Sequence, residues 1–194
     1  MIRLALLRHG HTHWNREGRI QGRTDVPLDD LAVAELSQRS LPLPWHKATI
    51  VASPLIRAVK TAQLVSGVSP HLVPDLIEMD WGEWEGQKAA ELHATKAVDY
   101  RAIEDWGWEY AAPHGESPES VRKRVLPWVL GLHQDTLAVT HIGIMRVILA
   151  LATGWHFSGP PPFQIKRNRL YIIEVKGGRL SLQPDTLALN RNDR

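Results

Sequence analysis

Short apolar runs alternate along this chain with segments of helical periodicity, and this alternation limits the folds open to it. Residues 2–7, 48–52 and 136–140 have the length and composition of buried parallel strands. A weaker strand is expected at residues 72–73. Because strands that alternate with helices form a sheet covered on both faces, we predict an α/β fold: a three-layer sandwich with a mostly parallel central sheet flanked by helices.

Helices are expected where a capping residue precedes a helical apolar pattern. Their predicted bounds are Asp29 or Asp30 to Gln38, Ser53-Pro54 to about Val65, Ser117 to about Leu132, and Ile142 to Thr153. Pro127 should kink or split the third of these helices, because proline lacks a backbone N–H. Residues 85–105 also have helical character, and the runs at 170–175 and 179–183 around Gly177-Gly178 predict a hairpin.

Length and composition favour a single domain that spans residues 1–194. The net charge of +2 is too small to indicate binding to nucleic acid or to a membrane surface, and no apolar run is long enough to span a membrane. Cysteine is absent, which excludes disulfides and a cysteine nucleophile. The first apolar run is too short for a signal peptide, so we expect a cytoplasmic protein, and a homodimer stays open.

Three histidines at alternate positions, His9, His11 and His13, raise two hypotheses. On a strand they would share a face and could bind a metal; alternatively, one is reactive and two are bystanders. His9 directly follows the first predicted strand, and His141 follows the strand at 136–140 in the same way. Ligands bind at the carboxyl ends of such strands, so we expect both at one rim. No carboxylate cluster accompanies the three histidines, and we therefore expect neither a metal nor a cofactor.

Two arginines and a glutamate extend this pattern. Arg8 precedes His9, and Arg57 lies one turn into the helix that follows another predicted strand. Guanidinium groups bind phosphate oxygens through paired hydrogen bonds. Glu78, within IEMDWGEWEG, supplies a carboxyl group. These residues indicate an anion site with a reactive imidazole.

Five stretches in this order carry a family resemblance. They are LLRHGHTHWN (6–15), IQGRTDVPL (20–28), SPLIRAVKTA (53–62), IEMDWGEWEG (77–86) and VTHIG (139–143). Together they resemble the histidine phosphatase superfamily, in its phosphoglycerate-mutase-like branch, over nearly the whole chain. The resemblance implies a phosphoglycerate-mutase-like fold. It also implies metal-independent hydrolysis of a phosphomonoester, through a phosphohistidine, with a small phosphorylated metabolite as substrate.

The resemblance also implies roles for individual residues. Neutral His9 would attack phosphorus, while Arg8, Arg57 and His141 would hold the phosphate. Glu78 would protonate the departing oxygen and then activate water. Further contacts to the substrate are expected from Asn15, Gln21, Gly22 and Ile142. Ile142 departs from the family, which commonly has glycine or alanine there, although its backbone N–H remains available.

Several alternatives stay open. Glu83, or less favourably Asp80, could be the acid instead of Glu78. Residues 85–116 are expected to form a cap over the pocket, in which Trp106, Trp108 and Tyr110 close a small core or stack on a leaving group. The basic cluster Lys166, Arg167 and Arg169 is interpreted as a solvated face, with a second phosphate contact as the alternative.

Two other functions compete with hydrolysis. A phosphoglycerate-type phosphomutase is disfavoured because mutases of this family usually have a longer middle insertion. A non-catalytic binder of phosphorylated ligands would be expected to have lost His9, Arg57, His141 or the acid, and all are present. The stretch EMDWGEWE also resembles the α-ribazole phosphatases, which suggests a substrate.

Overall fold

The computed structural model of the protein describes residues 1–95 and 99–192. The strands are β1 (Ile2–Arg8), β2 (Arg39–Ser40), β3 (Thr49–Ala52), β4 (His71–Leu72), β5 (Thr136–Thr140), β6 (Arg169–Lys176), β7 (Arg179–Leu182), β8 (Leu187–Ala188) and β9 (Asn190–Arg191). The α-helices are α1 (His13–Arg16), α2 (Asp30–Leu36), α3 (Ile56–Ser66), α4 (Ala89–Ala94), α5 (Pro118–Leu130) and α6 (Ile142–Thr153). Short 3₁₀ turns lie at Trp45–Lys47, Pro74–Leu76, Gly82–Trp84 and Ile103–Asp105.

The main sheet has the strand order β4-β3-β5-β1-β6-β7, with β8 also paired to β6. The first four strands in this order are parallel to one another, and β6 pairs antiparallel with each of its neighbours β1, β7 and β8. The hairpin between β6 and β7 turns at Gly177 and Gly178, whose positive φ angles of 56° and 74° suit a tight hairpin turn. A separate small sheet joins β2 to β9. The predicted α/β class with a mostly parallel sheet is confirmed.

Alternating residues of β1 show how the sheet is covered on both faces. Leu4 and Leu6 belong to a core cluster that includes buried residues of α5 and α6. Ala5 and Leu7 belong to a second cluster, with buried residues of α2 and α3. Because successive strand residues point to opposite faces and both faces are covered, the buried residues 4–7 of β1 form a continuous apolar run.

The prediction of helical structure over residues 85–105 is wrong for most of this range. The structure has only α4 and the 3₁₀ turn at Ile103–Asp105, and residues 96–98 lie outside the described part. Tertiary contacts replace helical hydrogen bonds here: the Tyr110 hydroxyl accepts from the Arg101 N–H at 2.8 Å and donates to the Asp99 carbonyl at 2.6 Å. A short helix is marginal by itself, so such contacts decide the local conformation.

Pro127 does not split its helix, contrary to one of the two expected outcomes. It lies within α5, and the helix continues to Leu130. Proline removes one hydrogen bond, to the carbonyl of Lys123, and both residues are exposed, so water can satisfy that carbonyl. Val125 and Val129 on the opposite side are fully buried and hold the helix against the sheet. Among the residues described, no helix is long and apolar enough to cross a membrane.

Candidate active site

The carboxyl ends of three neighbouring parallel strands bring the centre of the site together. Arg8 of β1 pairs with Thr140 of β5, and the backbone N–H of His9 donates to the Thr140 carbonyl at 3.0 Å. His9 and His141 therefore each follow a paired residue, and their ring centroids lie 5.1 Å apart. Ser53 follows β3 on the other side of β5, with its backbone N–H bonded to that strand. The strand register alone places these three side chains side by side.

His9 is held in one tautomer. It is 3% exposed, and its Nδ1 lies 2.6 Å from the carbonyl oxygen of Gly10. Because a carbonyl can only accept, Nδ1 carries the hydrogen, and Nε2 of the neutral ring keeps its lone pair. Burial, followed by the charges of Arg57, Arg8 and Arg167, lowers the pKa of His9 well below its usual range. At neutral pH, His9 thus has the form that a nucleophile requires.

His141 is held in the opposite tautomer. Arg57 Nε donates to His141 Nδ1 at 3.3 Å, so Nε2 carries the hydrogen and donates to Ser53 Oγ at 2.7 Å. The terminal nitrogens of Arg57 donate to the carbonyls of Gly22, at 2.6 Å, and Thr24, at 2.9 Å. Burial lowers the pKa of both His141 and Arg57, and Arg57 lowers that of His141 further. A neutral imidazole and a fully buried guanidinium therefore lie behind His9.

Glu78 contacts the N-terminus of α6. It is 2% exposed, and its Oε1 accepts from the backbone N–H groups of Met79 at 2.8 Å and Gly143 at 3.1 Å. Glycine at position 143 leaves room for this carboxyl group, because a Cβ there would come 2.5 Å from Glu78 Oε1 and displace it. Burial raises the pKa of Glu78 despite the opposing effect of these hydrogen bonds and of Arg57. A carboxyl group whose pKa is raised by burial can carry a proton to a leaving group.

Asn15 and Gln21 form a linked pair of amides. Asn15 Nδ2 donates to Gln21 Oε1 at 3.1 Å, and Thr12 Oγ1 donates to the same oxygen at 3.0 Å. Within the described residues, Gln21 Nε2 and Arg8 Nε are buried donors without an acceptor. Leaving such a donor unsatisfied costs about 1–3 kcal/mol, so these groups point to an anionic ligand.

A cavity of about 420 Å³ opens beside His9. The predicted site residues that line it are Arg8, His9, Asn15, Gln21, Glu78 and Ile142. Gly22, Arg57 and His141 are not among its lining residues; they lie behind it, and their polar atoms are used within the protein. The wall that the segment between α4 and α5 contributes includes Tyr100, Ile103 and Trp106, whereas Trp108 and Tyr110 do not reach the cavity.

Four arginines that line the cavity were not predicted as site residues: Arg19, Arg101, Arg146 and Arg167. Arg146 lies on α6 four residues after Ile142, with its guanidinium carbon 5.9 Å from the Trp106 ring centroid. Helical spacing could have found it, because residues i and i+4 share a helix face. Arg167 belongs to the basic cluster interpreted as a solvated face, and for this residue that interpretation is wrong. No spacing rule could have found Arg167.

The competing acids and histidines lie elsewhere. Neither Glu83 nor Asp80 lines the cavity; the Glu83 side chain is 62% exposed and pairs with a histidine at 3.4 Å, and Asp80 pairs with an arginine at 3.5 Å. His13 is exposed and His11 is half-buried. Across residues 1–95 and 99–192, no group of three histidine, aspartate or glutamate side chains could hold a metal ion.

The α/β fold with two histidines and a buried glutamate at one rim of the sheet defines a class of phosphate-handling proteins. Residues 4–184 match the family model of the histidine phosphatase superfamily (branch 1). The chain belongs to this superfamily, as the sequence motifs predicted.

Individual relatives agree with this assignment. The adenosylcobalamin/α-ribazole phosphatase of Escherichia coli is 30% identical over 176 residues, covering 80% of this chain and 84% of that protein. The acid phosphatase of Mycobacterium tuberculosis is 32% identical over 173 residues, covering 81% and 82%. The crystal structure of phosphoglycerate mutase from Thermus thermophilus superposes with a TM-score of 0.71 at 29% identity, covering 97% of this chain and 100% of that one. The predicted phosphoglycerate-mutase-like fold is thereby confirmed.

Proposed function

We propose that this protein hydrolyses phosphomonoesters of small metabolites through a phosphohistidine at His9, without a metal. The observation that carries the proposal is the state of His9: a neutral ring whose Nδ1–H is held by Gly10, beside the guanidinium groups of Arg8 and Arg57. This arrangement supports attack by Nε2 on a phosphate that the positive charges attract. Uncatalysed phosphomonoester hydrolysis is so slow that enzymes accelerate it by up to about 10²¹-fold, largely through positioning and charge neutralisation.

In the first step, the lone pair of His9 Nε2 forms a bond to phosphorus, and the bond from phosphorus to the ester oxygen breaks. Glu78 donates its proton to that oxygen, so the alcohol leaves neutral. Arg8 neutralises charge on the transferring group, the free N–H groups of Asn15 and Gln21 bind its oxygens, and Arg57 adds positive charge from behind.

In the second step, Glu78 is a carboxylate and accepts a proton from a water molecule. The oxygen of that water attacks phosphorus, and the bond to His9 Nε2 breaks. Inorganic phosphate leaves, His9 regains its lone pair, and Glu78 is again protonated. One carboxyl group thus serves both steps, which is consistent with its burial and raised pKa.

The residues between α4 and α5 that line the cavity are consistent with the expected cap and indicate the kind of leaving group that the cavity could hold. We propose that residues 85–116, of which 96–98 lie outside the described part of the chain, form this cap, because Tyr100, Ile103 and Trp106 line the cavity. A pocket with apolar and aromatic walls suits a leaving group with a flat or apolar part. The similarity to α-ribazole phosphatases makes α-ribazole 5′-phosphate the first substrate to test.

A substrate panel with chelator tests the reaction type. We expect release of inorganic phosphate from α-ribazole 5′-phosphate or another phosphomonoester in the presence of EDTA, with an acid-labile phosphoenzyme after rapid quenching. Conversion of 3-phosphoglycerate to 2-phosphoglycerate, dependent on 2,3-bisphosphoglycerate and faster than phosphate release, would show a mutase instead. Binding of the panel without turnover would show a non-catalytic binder. Loss of activity in EDTA with recovery on adding zinc would contradict metal independence.

The cytoplasmic location and the homodimer stay predictions. Cell fractionation of the tagged chain checks the first, and light scattering after size-exclusion chromatography checks the second.

A further inference from the structure

The basic cluster after the proline-rich loop separates in space. Arg169 begins β6, and one of its terminal nitrogens donates to Thr186 Oγ1 at 3.1 Å. Arg167, two residues earlier, lines the cavity together with His9. Asn168 between them has a positive φ of 58°, a turn conformation that asparagine tolerates. This turn ends the loop and lets neighbouring arginines have different environments.

Arg167 connects two parts of the site through one guanidinium group. Its Nε donates to the backbone carbonyl of His9 at 3.2 Å, and a terminal nitrogen donates to Asn15 Oδ1 at 2.8 Å. The planar guanidinium group holds its donors in a fixed fork, so both acceptors are fixed relative to each other. A lysine could reach one acceptor but could not reproduce the fork.

The contact also fixes which way the Asn15 amide points. Arginine has no acceptor, so Asn15 must turn its oxygen towards Arg167, and the same oxygen accepts from the Thr12 N–H at 3.2 Å. Asn15 Nδ2 then faces Gln21, donates one hydrogen to its Oε1 and keeps a second. Gln21 in turn is left with its buried Nε2 as a donor. Arg167 therefore determines how two amide donors are presented to the cavity.

Charge gives a second reason for the position of Arg167. Its pKa is lowered to about 10, first by burial and then by Arg16, so it remains protonated at neutral pH. It also lowers the pKa of His9 and of Arg8. In the described part of the chain, Arg167 forms no salt bridge. A largely buried cation without a direct ion-pair partner is unfavourable, and a phosphate dianion relieves it.

We infer that Arg167 is a positioning residue for phosphoryl transfer, one that holds His9 and Asn15 in register and adds a third guanidinium charge beside the phosphate. The inference builds on the proposed role of His9 as nucleophile. Its distinct content is that the segment after the proline-rich loop, which lies outside the family motifs quoted above, is part of the phosphate end of the cavity.

Three variants test the inference. Arg167→Gln removes the charge and the fork, Arg167→Lys keeps the charge without the fork, and Arg169→Gln is the matched control two residues away. With p-nitrophenyl phosphate, we expect Arg167→Gln to lower kcat/KM by roughly 10- to 100-fold, the range for one charge-assisted hydrogen bond, and Arg169→Gln to change it less than about twofold. Arg167→Lys should recover the KM and leave kcat reduced.

Three further measurements separate positioning from a loss of stability. Inorganic phosphate binding, measured calorimetrically without turnover, should weaken in Arg167→Gln and stay close to wild type in Arg169→Gln. A positive neighbour lowers the pKa of His9, so NMR titration should show that pKa rising in Arg167→Gln and unchanged in Arg167→Lys, with the signal assigned by its absence in His9→Ala. Thermal melts of all variants identify any that are unfolded.

Each outcome has a defined meaning. If Arg167→Gln matches Arg169→Gln in kcat/KM and in phosphate binding, the inference is wrong. If Arg167→Gln does not fold, the test rests on Arg167→Lys. The inference is then overturned if Arg167→Lys has both the kcat and the phosphate affinity of the wild type. If phosphate binding of the wild type depends on Arg167 but no phosphoenzyme forms, the proposed reaction fails while the inferred role of Arg167 at the phosphate end of the cavity stands.

Discussion

The two ends of the cavity are built in different ways. The end at His9 is centred on His9 and His141, which directly follow parallel strands, and hydrogen bonds hold both imidazole rings and the Glu78 carboxyl group. The other end is formed by loops and short turns between α4 and α5, where Tyr100, Ile103 and Trp106 line the wall. One end is fixed by the sheet, and the other by the packing of aromatic side chains.

This difference indicates which end of the cavity carries out the chemical step and which end selects the substrate. Strand ends are held by the ladder hydrogen bonds of the whole sheet, so they can keep catalytic groups within a few tenths of an ångström. The other end depends on aromatic packing: the Trp81 and Trp106 rings pack edge to face with centroids 5.4 Å apart, and the Trp106 and Tyr110 rings are tilted with centroids 5.4 Å apart. Such packing accepts a hydrophobic substitution of similar volume more easily than a hydrogen-bonded strand end does. Substitutions at the His9 end should therefore reduce turnover of every substrate, and those at the other end should change which substrate is preferred.

His9→Ala should have the largest effect. Without Nε2 no phosphohistidine can form, and we expect turnover to fall by roughly 10⁴-fold or more for every substrate. Quenched-flow labelling with a ³²P-phosphomonoester measures the phosphoenzyme directly. If a labelled enzyme intermediate still forms in His9→Ala, the nucleophile is another residue. The assignment of the chemical step to the His9 end of the cavity would then be wrong.

Glu78→Gln should have a large effect that depends on the leaving group. With an alkyl phosphate, whose alkoxide needs a proton, we expect phosphoenzyme formation to slow by about 10²- to 10⁴-fold. With p-nitrophenyl phosphate the burst should change far less, because that leaving group is stable as an anion. Burial raises the pKa of Glu78. The wild-type burst rate with the alkyl ester should therefore fall as the pH rises through that pKa, and the burst rate of Glu78→Gln should not show this decrease.

Glu83→Gln is the control for this experiment, since Glu83 is exposed and lies outside the cavity. We expect a wild-type burst with both substrates. A leaving-group dependence in Glu83→Gln that is missing from Glu78→Gln would identify Glu83 as the acid.

The same contrast explains what could be predicted from the sequence. The strands and the positions of His9 and His141 follow from local rules, because apolar runs mark strands and strand ends mark sites. The segment at 85–105 could not be predicted in this way, since Tyr110 supplies hydrogen bonds to its backbone from outside it. Arg167 was misinterpreted because a basic cluster in sequence does not reveal that one member turns inwards.

Gly143→Ala should give a moderate effect by displacing Glu78 without changing any charged group. A Cβ at position 143 would lie 2.5 Å from Glu78 Oε1 and 3.0 Å from Met79 Cβ, so the carboxyl group must move. We expect alkyl phosphate turnover to fall by about 10- to 100-fold, corresponding to the 1–3 kcal/mol typical of overpacking. Gly131→Ala, at the end of α5 and outside the cavity lining, is the control, because its Cβ would crowd the Pro127 carbonyl oxygen at 3.3 Å without contacting Glu78.

Kinetics and structure together check this prediction. The burst with p-nitrophenyl phosphate should be less affected than that with the alkyl ester, as for Glu78→Gln. Equal slowing of both bursts would mean that Gly143 acts through phosphate binding at the N-terminus of α6 rather than through Glu78.

Arg146→Gln should have the smallest effect on rate and the clearest effect on selectivity. Arg146 lines the cavity beside Trp106, burial lowers its pKa, and among the residues described its guanidinium has no hydrogen-bond acceptor. An anionic group on the leaving alcohol would supply that acceptor. The matched pair 3-phosphoglycerate and glycerol 3-phosphate differs in one carboxylate, so the ratio of their kcat/KM values isolates this contact. We expect the ratio to fall about tenfold in Arg146→Gln, as for loss of one charged hydrogen bond.

Arg101→Gln provides the comparison within the same end of the cavity. Arg101 also lines the cavity, but its Nε donates to Asp99 Oδ1 at 2.7 Å and its charge is already paired. Its removal should therefore leave the substrate ratio within about twofold, as is usual for an exposed ion pair. If Arg146→Gln instead lowers turnover of both substrates equally, Arg146 acts on the transferred phosphate. Arg146 on α6 would then belong with the His9 end, and the division of the cavity into a catalytic end and a selective end would be contradicted for this helix.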